Sequence, residues 1–219
     1  MKKAIVTFGV GGHKKLLDIA RPSFKAFAKR HGYDYFEAAQ VGHQRPAAWY
    51  KVRCLIDLLK HYEHAIFFGC DLVVVDGRED FPLPANGWIQ AMVTHHTQCG
   101  DVPNDDMWIC TSAMIPWLEK VWALDKYLNH GWWEQAALLE LMSYDPAIEH
   151  FPTHCRDLAN QLYQNTYWLS NEWNVHCWDK PQPQHVRIQH ATMWPDRAAI
   201  MRTWAKEAEG WINDPLLGT

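Results

Sequence analysis

The chain has 219 residues, a formal net charge of −4 and a hydrophobic fraction of 48%. This length suits one domain with a sizeable core. The acidic balance, in a sequence without a run of Lys or Arg, argues against nucleic acid as the main partner. No apolar stretch is long enough to span a membrane, and we interpret residues 1–15 as a first strand and turn rather than a signal peptide.

The cysteines and tryptophans give two further indications. Six cysteines are scattered without a CxxC pair, at positions 54, 70, 99, 110, 155 and 177. This pattern is typical of reduced thiols and predicts a cytoplasmic location. The chain also contains 13 tryptophans. Most of them should pack in the core, and we expect a few to line a ligand groove because the indole ring stacks on sugar rings and nucleobases.

In the first half of the chain, short apolar runs alternate with segments whose apolar residues recur every three or four positions. The expected elements are, in chain order, a strand over 3–8, a helix over 15–31, a strand over 33–37, a helix over 48–62 and a buried strand from 65. This β-α-β-α-β order predicts a parallel sheet covered by helices.

The segment AIFFGCDLVVVD, residues 65–76, is the one around which the rest is organised. An apolar strand ends at Gly69, Cys70 and Asp71, and a second β-branched run follows. Ligands of open α/β sheets bind at the carboxyl ends of the strands, so we expect Asp71 to hold a ligand there. From this segment alone, a carboxylate that only caps the turn is an equal alternative.

The second half is less regular. We expect strands over 88–93 and 107–113, a polar loop over 95–106, helices over 115–128 and 132–142, an irregular segment over 151–174, a proline linker over 180–184, a strand over 186–190 and a helix over 196–209. Several histidines lie close to cysteines or to one another. Pro152 interrupts the pair His150 and His154, and HExxH is absent, so we do not predict a structural zinc ion.

Four segments, in order and spacing, resemble GT-A fold nucleotide-sugar glycosyltransferases. They are RPSFKAFAKRHGYDYF (21–36), the stretch from AWYK to the Asp-x-Asp-like motif (48–76), GWWEQAALLELM (131–142) and VRIQHATMW (186–194). The particular resemblance is to the galactosyl/mannosyl/xylosyltransferase family, carbohydrate-active family thirty-four. It implies one α/β domain over 1–219, with a Rossmann-like, mostly parallel sheet and helices on both faces. Residues 1–95 would form the nucleotide-binding half and 96–219 the acceptor half with the C-terminal helix.

The resemblance also implies roles for individual residues. Asp71 and His190 would hold Mn²⁺ or Mg²⁺, since a divalent cation neutralises a departing diphosphate and suits oxygen and imidazole ligands. The implied donor-binding residues are Thr7 and Phe8 at the nucleobase and ribose, Lys51 near the phosphates or sugar, and Gly69 and Cys70 in the motif. The implied catalytic residues are Glu134 and Gln135 at the donor sugar and Asp106 near donor and acceptor.

One departure concerns the motif itself. Gly69 stands where the family has the first carboxylate of Asp-x-Asp. Three interpretations remain: a metal site using Asp71 and His190 only, which we favour, an enzyme with little metal dependence, or a degenerate protein. Asp106 stands where the family has a glycine and is a candidate for a compensating carboxylate.

The sequence therefore predicts a hexosyl- or pentosyltransferase that moves a sugar from a nucleotide-sugar donor, UDP-linked, to a hydroxyl acceptor. The resemblance implies a retaining, Mn²⁺-dependent reaction. The acceptor is left open among a glycan, a lipid-linked precursor, a protein and a modified base. The alternatives are a non-catalytic nucleotide-sugar or glycan-binding protein and a glycosyltransferase acting on hydroxymethylated DNA bases. The acidic net charge disfavours the DNA alternative.

Overall fold

The computed structural model describes residues 2–39, 44–97, 100–146 and 155–214. The described chain alternates strands and helices. The strands are β1 (Lys3–Thr7), β2 (Tyr33–Glu37), β3 (His64–Phe68), β4 (Leu72–Val74), β5 (Gln90–Thr97), β6 (Gly100–Thr111), β7 (Thr166–Leu169) and β8 (Ile188–His190). The α-helices are α1 (Lys14–His31), α2 (Tyr50–Leu59), α3 (Ile115–Ala123), α4 (Trp133–Leu141), α5 (Gln161–Gln164) and α6 (Arg197–Ile212).

Six strands form the central sheet in the order β2-β1-β3-β6-β5-β7. β1 pairs parallel with β2 and β3, and β7 pairs parallel with β5, whereas β6 runs antiparallel to both of its neighbours. The first three strands follow the predicted β-α-β-α-β order, and each crossover carries a helix, as parallel neighbours require. The predicted α/β fold with a mostly parallel sheet is confirmed.

Helices cover both faces of this sheet because consecutive strand residues face opposite sides. Ile66 and Phe68 of β3 join a core cluster with α1 and α6. Ala65 and Phe67 join a second cluster with α2, α3 and α4 on the other face. Each fully buried large apolar side chain contributes about 1.5–3 kcal/mol to folding, so both layers stabilise the central sheet.

The segment 95–106, predicted as a polar loop, is part of an antiparallel pair of strands. β5 and β6 pair through it, with His95 opposite Val102 and Thr94 opposite Pro103. The prediction was wrong because it relied on polar composition, whereas the paired strands satisfy their own backbone groups. The pairing also places the side chains of Asn104 and Asp105 of β6 in the interior.

A second sheet lies beside the first and contains two strands. The chain leaves the central sheet after β3. The next strand, β4, pairs antiparallel with β8, so that Leu72 lies opposite His190. The amide of Ala191 donates to the carbonyl of Asp71 at 2.9 Å. The break at 69–71 therefore ends one sheet and begins another.

The other predicted boundaries need smaller corrections. Leu124, at ψ 65°, leaves the helical region and ends α3 five residues before the predicted end at 128, ahead of a single 3-10 turn. The predicted irregular segment contains α5 and β7, the second of which completes the sheet edge. The side chain of Asp196 accepts from the amide of Ala199 at 2.9 Å and begins α6, which continues to Ile212.

Within the described ranges no helix combines the length and the apolar character that a membrane span needs. Cys99, His150 and His154 lie outside the described residues.

Candidate active site

Two carboxylates converge on one imidazole nitrogen. Nε2 of His190 lies 3.6 Å from Oδ1 of Asp71 and 3.4 Å from Oδ2 of Asp106. Asp71 follows β3, Asp106 lies in the neighbouring strand β6, and His190 ends β8. The pairing of β3 with β6 and of β4 with β8 therefore brings three distant parts of the chain to one point.

The second oxygen of each carboxylate accepts a hydrogen bond from a cationic side chain. Oδ2 of Asp71 accepts a hydrogen bond from Arg197 at 3.1 Å. Oδ1 of Asp106 accepts one from Lys51, also at 3.1 Å. One oxygen of each carboxylate is thus fixed by the protein, and the second is directed at His190.

Lys51 is buried and joins three carboxylates. Besides Asp106, its Nζ lies 3.0 Å from Oδ1 of Asp105 and 2.9 Å from Oε1 of Glu134. Burial alone would lower the pKa of this amine, but the three carboxylates outweigh it and hold the pKa well above its ordinary value. Burial raises the pKa of Glu134 to about 7, although Lys51 opposes the shift. Asp71, Asp105, Asp106 and Glu134 are referred to below as the acidic cluster.

The opposite nitrogen of His190 is also held. Its Nδ1 lies 3.0 Å from Oδ1 of Asn174 and 2.8 Å from Nε2 of His176. Burial would lower the pKa of His190, but the neighbouring Asp71 and Asp106 raise it to about 9. The imidazole ring is therefore fixed on both sides, as the histidine ligands of metals usually are.

A third histidine lies behind this pair. His95 stacks on His176 with ring centroids 3.4 Å apart and planes at 12°, and its Nδ1 lies 3.3 Å from both oxygens of Asp179. The ring nitrogens of His95, His176 and His190 are close enough together to suggest a metal site. However, imidazole binds a metal in the plane of its ring, and two parallel stacked rings cannot both direct a lone pair at one ion. We therefore assign His95 and His176 to supporting His190.

Asp71, Asp106 and His190 do fit a divalent cation. Their ligand atoms lie within 4.8 Å of one another, and Nε2 of His190 is buried without a well-aligned hydrogen-bond partner. Adjacent ligands of an octahedral ion with bonds of about 2.1 Å lie about 3 Å apart, so the observed 3.4 and 3.6 Å need only a small inward movement. Two carboxylate oxygens and one imidazole suit Mn²⁺ or Mg²⁺.

A cavity of about 940 Å³ opens beside this group. Its lining includes Lys51, Asp106, Glu134 and Gln135. Oε2 of Glu134 is buried without a hydrogen-bond partner, and such an acceptor is satisfied when a ligand brings a donor. The side-chain amide of Gln135 donates to the carbonyl of Pro103 at 2.9 Å, which fixes its orientation at the cavity wall.

The structure brings most of the sequence-predicted site residues together, but not all of them. Thr7 and Phe8 lie at the end of β1, where Thr7 is fully buried and Phe8 packs on Phe67 with ring centroids 5.3 Å apart. Neither of them lines the cavity. The amide of Gly69 donates to the carbonyl of Asp106 at 2.7 Å, and Cys70 packs against the core. Nucleotide binding by these four residues stays a prediction.

Three residues that contact the site were not predicted from the sequence. Asn174 and His176 hold His190, and Arg197 holds Asp71. In the sequence, His176 is one of the histidines that lie next to a cysteine, and this pattern did not predict a contact with His190. Arg197 is the first residue of α6, where a basic side chain gives no signal of its own.

No protein-family model and no curated protein sequence matches the chain. Solved structures do match it, and they show that the chain has the fold of GT-A-like glycosyltransferases. One is a glycosyltransferase involved in the glycosylation of the major capsid of PBCV-1, with a TM-score of 0.66 and 12% identity over 94% of this chain and 99% of that chain. A second is the glycosyltransferase GlyE of Streptococcus pneumoniae TIGR4, with a TM-score of 0.64 and 13% identity over 96% of this chain and 63% of that chain.

A third is the bifunctional glycosyltransferase WbbM, with a TM-score of 0.50 and 11% identity over 87% of this chain and 46% of that chain. The resemblance to glycosyltransferases predicted from the sequence is thereby confirmed at the level of the fold. Membership in carbohydrate-active family thirty-four stays a prediction.

Proposed function

We propose that the protein is a glycosyltransferase that moves a sugar from a UDP-linked donor to a hydroxyl acceptor with the help of a divalent cation. The observation that carries the proposal is the pair of carboxylate oxygens, from Asp71 and Asp106, directed at Nε2 of His190 beside a large cavity. The glycosyltransferase fold supports it.

The proposed metal ligands are Asp71, Asp106 and His190. A bound Mn²⁺ or Mg²⁺ would stabilise the negative charge of the departing diphosphate. Arg197 and Lys51 keep the two carboxylates in place by holding their other oxygens. In the proposed tautomer, Nδ1–H of His190 donates a hydrogen bond to Oδ1 of Asn174, which would leave the lone pair of Nε2 for the metal.

The charges near the cavity also fit a divalent cation. The acidic cluster has four carboxylates and faces two permanent cations, Lys51 and Arg197. With all four carboxylates ionised and His190 neutral as a metal ligand, four negative charges minus two positive charges leave two negative charges, which one divalent cation would neutralise. Buried carboxylates are costly without such compensation.

The transfer itself would take place in the cavity. The bond between the sugar C1 and the β-phosphate oxygen breaks, the acceptor oxygen bonds to C1, and the hydroxyl proton leaves with the nucleoside diphosphate. Glu134, whose Oε2 lacks a partner, would accept a hydrogen bond from a donor-sugar hydroxyl, and Gln135 would border the reacting carbon. We propose that the configuration at C1 is retained, as in the family that the sequence resembles.

The two halves of the chain would have different ligands. Residues 1–95 would bind the nucleotide and 96–219 would bind the acceptor, although Asp106 and Glu134 of the second half also contact Lys51 of the first. The cytoplasmic location stays a prediction. The alternative of a non-catalytic binding protein was motivated by the missing carboxylate at Gly69. A Cβ at position 69 would lie 3.2 Å from the Cβ of Asp106, which supports Asp106 as the replacement.

The proposal can be tested by calorimetric titration of UDP and a panel of UDP-sugars, with and without Mn²⁺, on the wild type and Asp71→Asn. We expect Mn²⁺ to strengthen UDP binding at least tenfold in the wild type, about 1.4 kcal/mol, and to have little effect in the variant. The preferred UDP-sugar should also release UDP slowly in the presence of Mn²⁺, with water as the acceptor.

Asp18→Asn is the matched control, because Asp18 is an exposed carboxylate on α1 that pairs with Arg21. It should bind UDP and Mn²⁺ as the wild type does. UDP binding that is equal with and without Mn²⁺ would contradict the metal assignment. A protein that binds no nucleotide and no UDP-sugar would contradict the proposed function.

A further inference from the structure

Three of the side chains that line the cavity are apolar and exposed to solvent, and therefore lie where it opens. Trp133, Trp178 and Met193 line it and are 43%, 37% and 67% exposed. Six large apolar side chains reach this exposure among the described residues, so half of them meet at one cavity. Such residues scattered singly need no explanation, but a group at the opening of a cavity marks a binding surface. We refer to these three residues as the apolar rim.

The backbone holds two rim residues in an unfavourable conformation. Trp133 has φ +46° and Met193 has φ +62°, both in the left-handed region that favours glycine. Three non-glycine residues have positive φ in the described chain, and two of these belong to the rim. Bulky side chains that persist in such conformations cluster at binding and catalytic sites. Packing gives no reason for either strain, since both side chains are exposed.

The rim is connected to the candidate metal site. The ring of Trp178 meets that of His176 edge to face, with centroids 5.1 Å apart, and His176 contacts His190. Trp133 directly precedes Glu134 in α4. A ligand resting on the rim would therefore present its inner edge to the acidic cluster and to the donor sugar.

We propose that the apolar rim is the acceptor subsite and that it holds a neutral pyranoside, an inference that rests on the proposed function. A pyranose ring has C–H faces that stack on indole rings and hydroxyls around its edge. The cavity has the complementary arrangement, with exposed indole and thioether groups on the rim and the amide of Gln135, which would border the reacting carbon, inside. Mostly apolar walls with a few converging polar groups are typical of sites that orient a small ligand.

A nucleobase would also stack on tryptophan, but the charges favour the sugar. A polynucleotide would bring phosphates close to the acidic cluster. Lys51, the cation inside the cavity, is already paired with three carboxylates, and Lys180 is the other lysine of the lining. Binding of a polyanion depends on free cations that replace its counterions, and a neutral glycoside has no such requirement.

The test is saturation-transfer NMR of methyl glucoside, galactoside, mannoside and xyloside, and of cellobiose and lactose, with UDP and Mn²⁺ present. We expect at least one glycoside to bind, with its ring C–H protons saturated most strongly. Trp178→Ala should weaken that binding at least tenfold, about 1.4 kcal/mol, and Trp178→Phe should retain it within about threefold because a ring remains for stacking.

Trp133→Gly separates binding from folding. Glycine relieves the strained φ, so the thermal midpoint should stay within about 3 °C of the wild type, while the glycoside binds at least tenfold more weakly. Phe36→Ala is the control, because Phe36 is an aromatic residue of β2 with 39% exposure and does not line the cavity. It should leave glycoside binding unchanged.

The outcomes separate this inference from the proposed function. If UDP binds with Mn²⁺ and no glycoside binds, the acceptor inference is overturned while the proposed function stands. If a glycoside binds equally well to the wild type and Trp178→Ala, the rim is not its site. If a hydroxymethylated single-stranded oligonucleotide displaces the glycoside at low salt, the rim belongs to a DNA acceptor. If a glycoside binds through the rim but UDP does not bind, the subsite is supported and the transferase proposal fails.

Discussion

The Cβ atom that Gly69 lacks would lie 3.2 Å from the Cβ of Asp106 on the neighbouring strand. In the family that the sequence resembles, the position of Gly69 carries the first carboxylate of Asp-x-Asp and that of Asp106 carries a glycine. We propose that the two positions have exchanged roles in this chain, so that Asp106, on the strand that pairs with β3, supplies the carboxylate that the motif lacks.

A carboxylate restored at the first position should conflict with the one on β6. Gly69→Asp would place its Cβ 3.2 Å from the Cβ and 3.3 Å from the carbonyl oxygen of Asp106, which is tight enough to shift the strand, and would add a charge to the acidic cluster. We expect a loss of about 1–3 kcal/mol in the free energy of unfolding. The double variant Gly69→Asp/Asp106→Gly should regain part of this loss and of the Mn²⁺ affinity. Urea unfolding and a double-mutant cycle measure the coupling, and additive effects would contradict the exchange.

Asp106 should contribute to metal affinity as strongly as Asp71 does. Asp106→Asn keeps the size of the side chain but removes one charge from the candidate metal ligands, so Mn²⁺ binding should weaken about 10–100-fold. Asp18→Asn on α1 should have no effect. The measurement is calorimetric titration of Mn²⁺ in the presence of UDP. Equal affinity in Asp106→Asn and the wild type would leave Asp71 and His190 as the protein ligands.

Removal of the buried amine should destabilise the fold strongly. Lys51→Met fills a similar volume but leaves the carboxylates of Asp105 and Glu134 buried without a cation, and we expect a loss of about 3–5 kcal/mol. Lys51→Met/Glu134→Gln should recover part of it, because one fewer carboxylate remains uncompensated. Lys60→Met is the matched control on the exposed end of the same helical segment, where the side chain is 53% exposed, and should cost less than about 0.5 kcal/mol. The measurement is the free energy of unfolding in urea. A cost for Lys51→Met as small as that of the control would show that the ion pairs of Lys51 do not stabilise the fold.

Asp76 should make folding stability depend on acidity. A hydrogen bond from Arg78, together with the charges of Arg78 and Arg187, holds the pKa of this carboxyl well below its usual range. A depressed pKa stabilises the fold above the unfolded value, near 3.9, and the contribution is lost as the pH falls through the folded pKa. Asp76→Asn should therefore cost about 1–3 kcal/mol above about pH 5, with a difference from the wild type that shrinks towards pH 3.

The measurement for this prediction is urea unfolding of the wild type and Asp76→Asn at several pH values between about 3 and 7. Asp57→Asn serves as the control, since Asp57 is an exposed partner of Lys60. A cost for Asp76→Asn that does not change with pH would show that the side chain acts through shape alone.

The sequence predicted the first half of the fold well because its signals are local. The apolar residues of α1 and α2 recur at helical spacing, and β3 is a continuous apolar run. The pairing of β5 with β6 was missed because the composition of a polar segment does not show that a partner strand will form its backbone hydrogen bonds. Its stability comes from pairing between distant positions, which no single-sequence pattern records.

In the candidate site too, residues in local motifs were predicted, whereas contacts that depend on tertiary packing were not. Asp71 and His190 were predicted as metal ligands on the strength of motifs, and the structure places them 3.6 Å apart. The contacts of Asn174 and Arg197 depend on how β8 and α6 pack, so neither residue had a sequence signal. Glu134 was predicted at the donor sugar, but its ion pair with Lys51 was not, because the two lie on different helices.

The pairing of β4 with β8 has a consequence for protein synthesis. It aligns Leu72 with His190 and thereby holds Asp71 against an imidazole that is synthesised more than a hundred residues later. Domains are translated from the amino terminus at about 5–20 residues per second, so a nascent chain carries Asp71 for several seconds before its partner histidine leaves the ribosome. The candidate metal centre can therefore assemble only after β8 has left the ribosome and paired with β4.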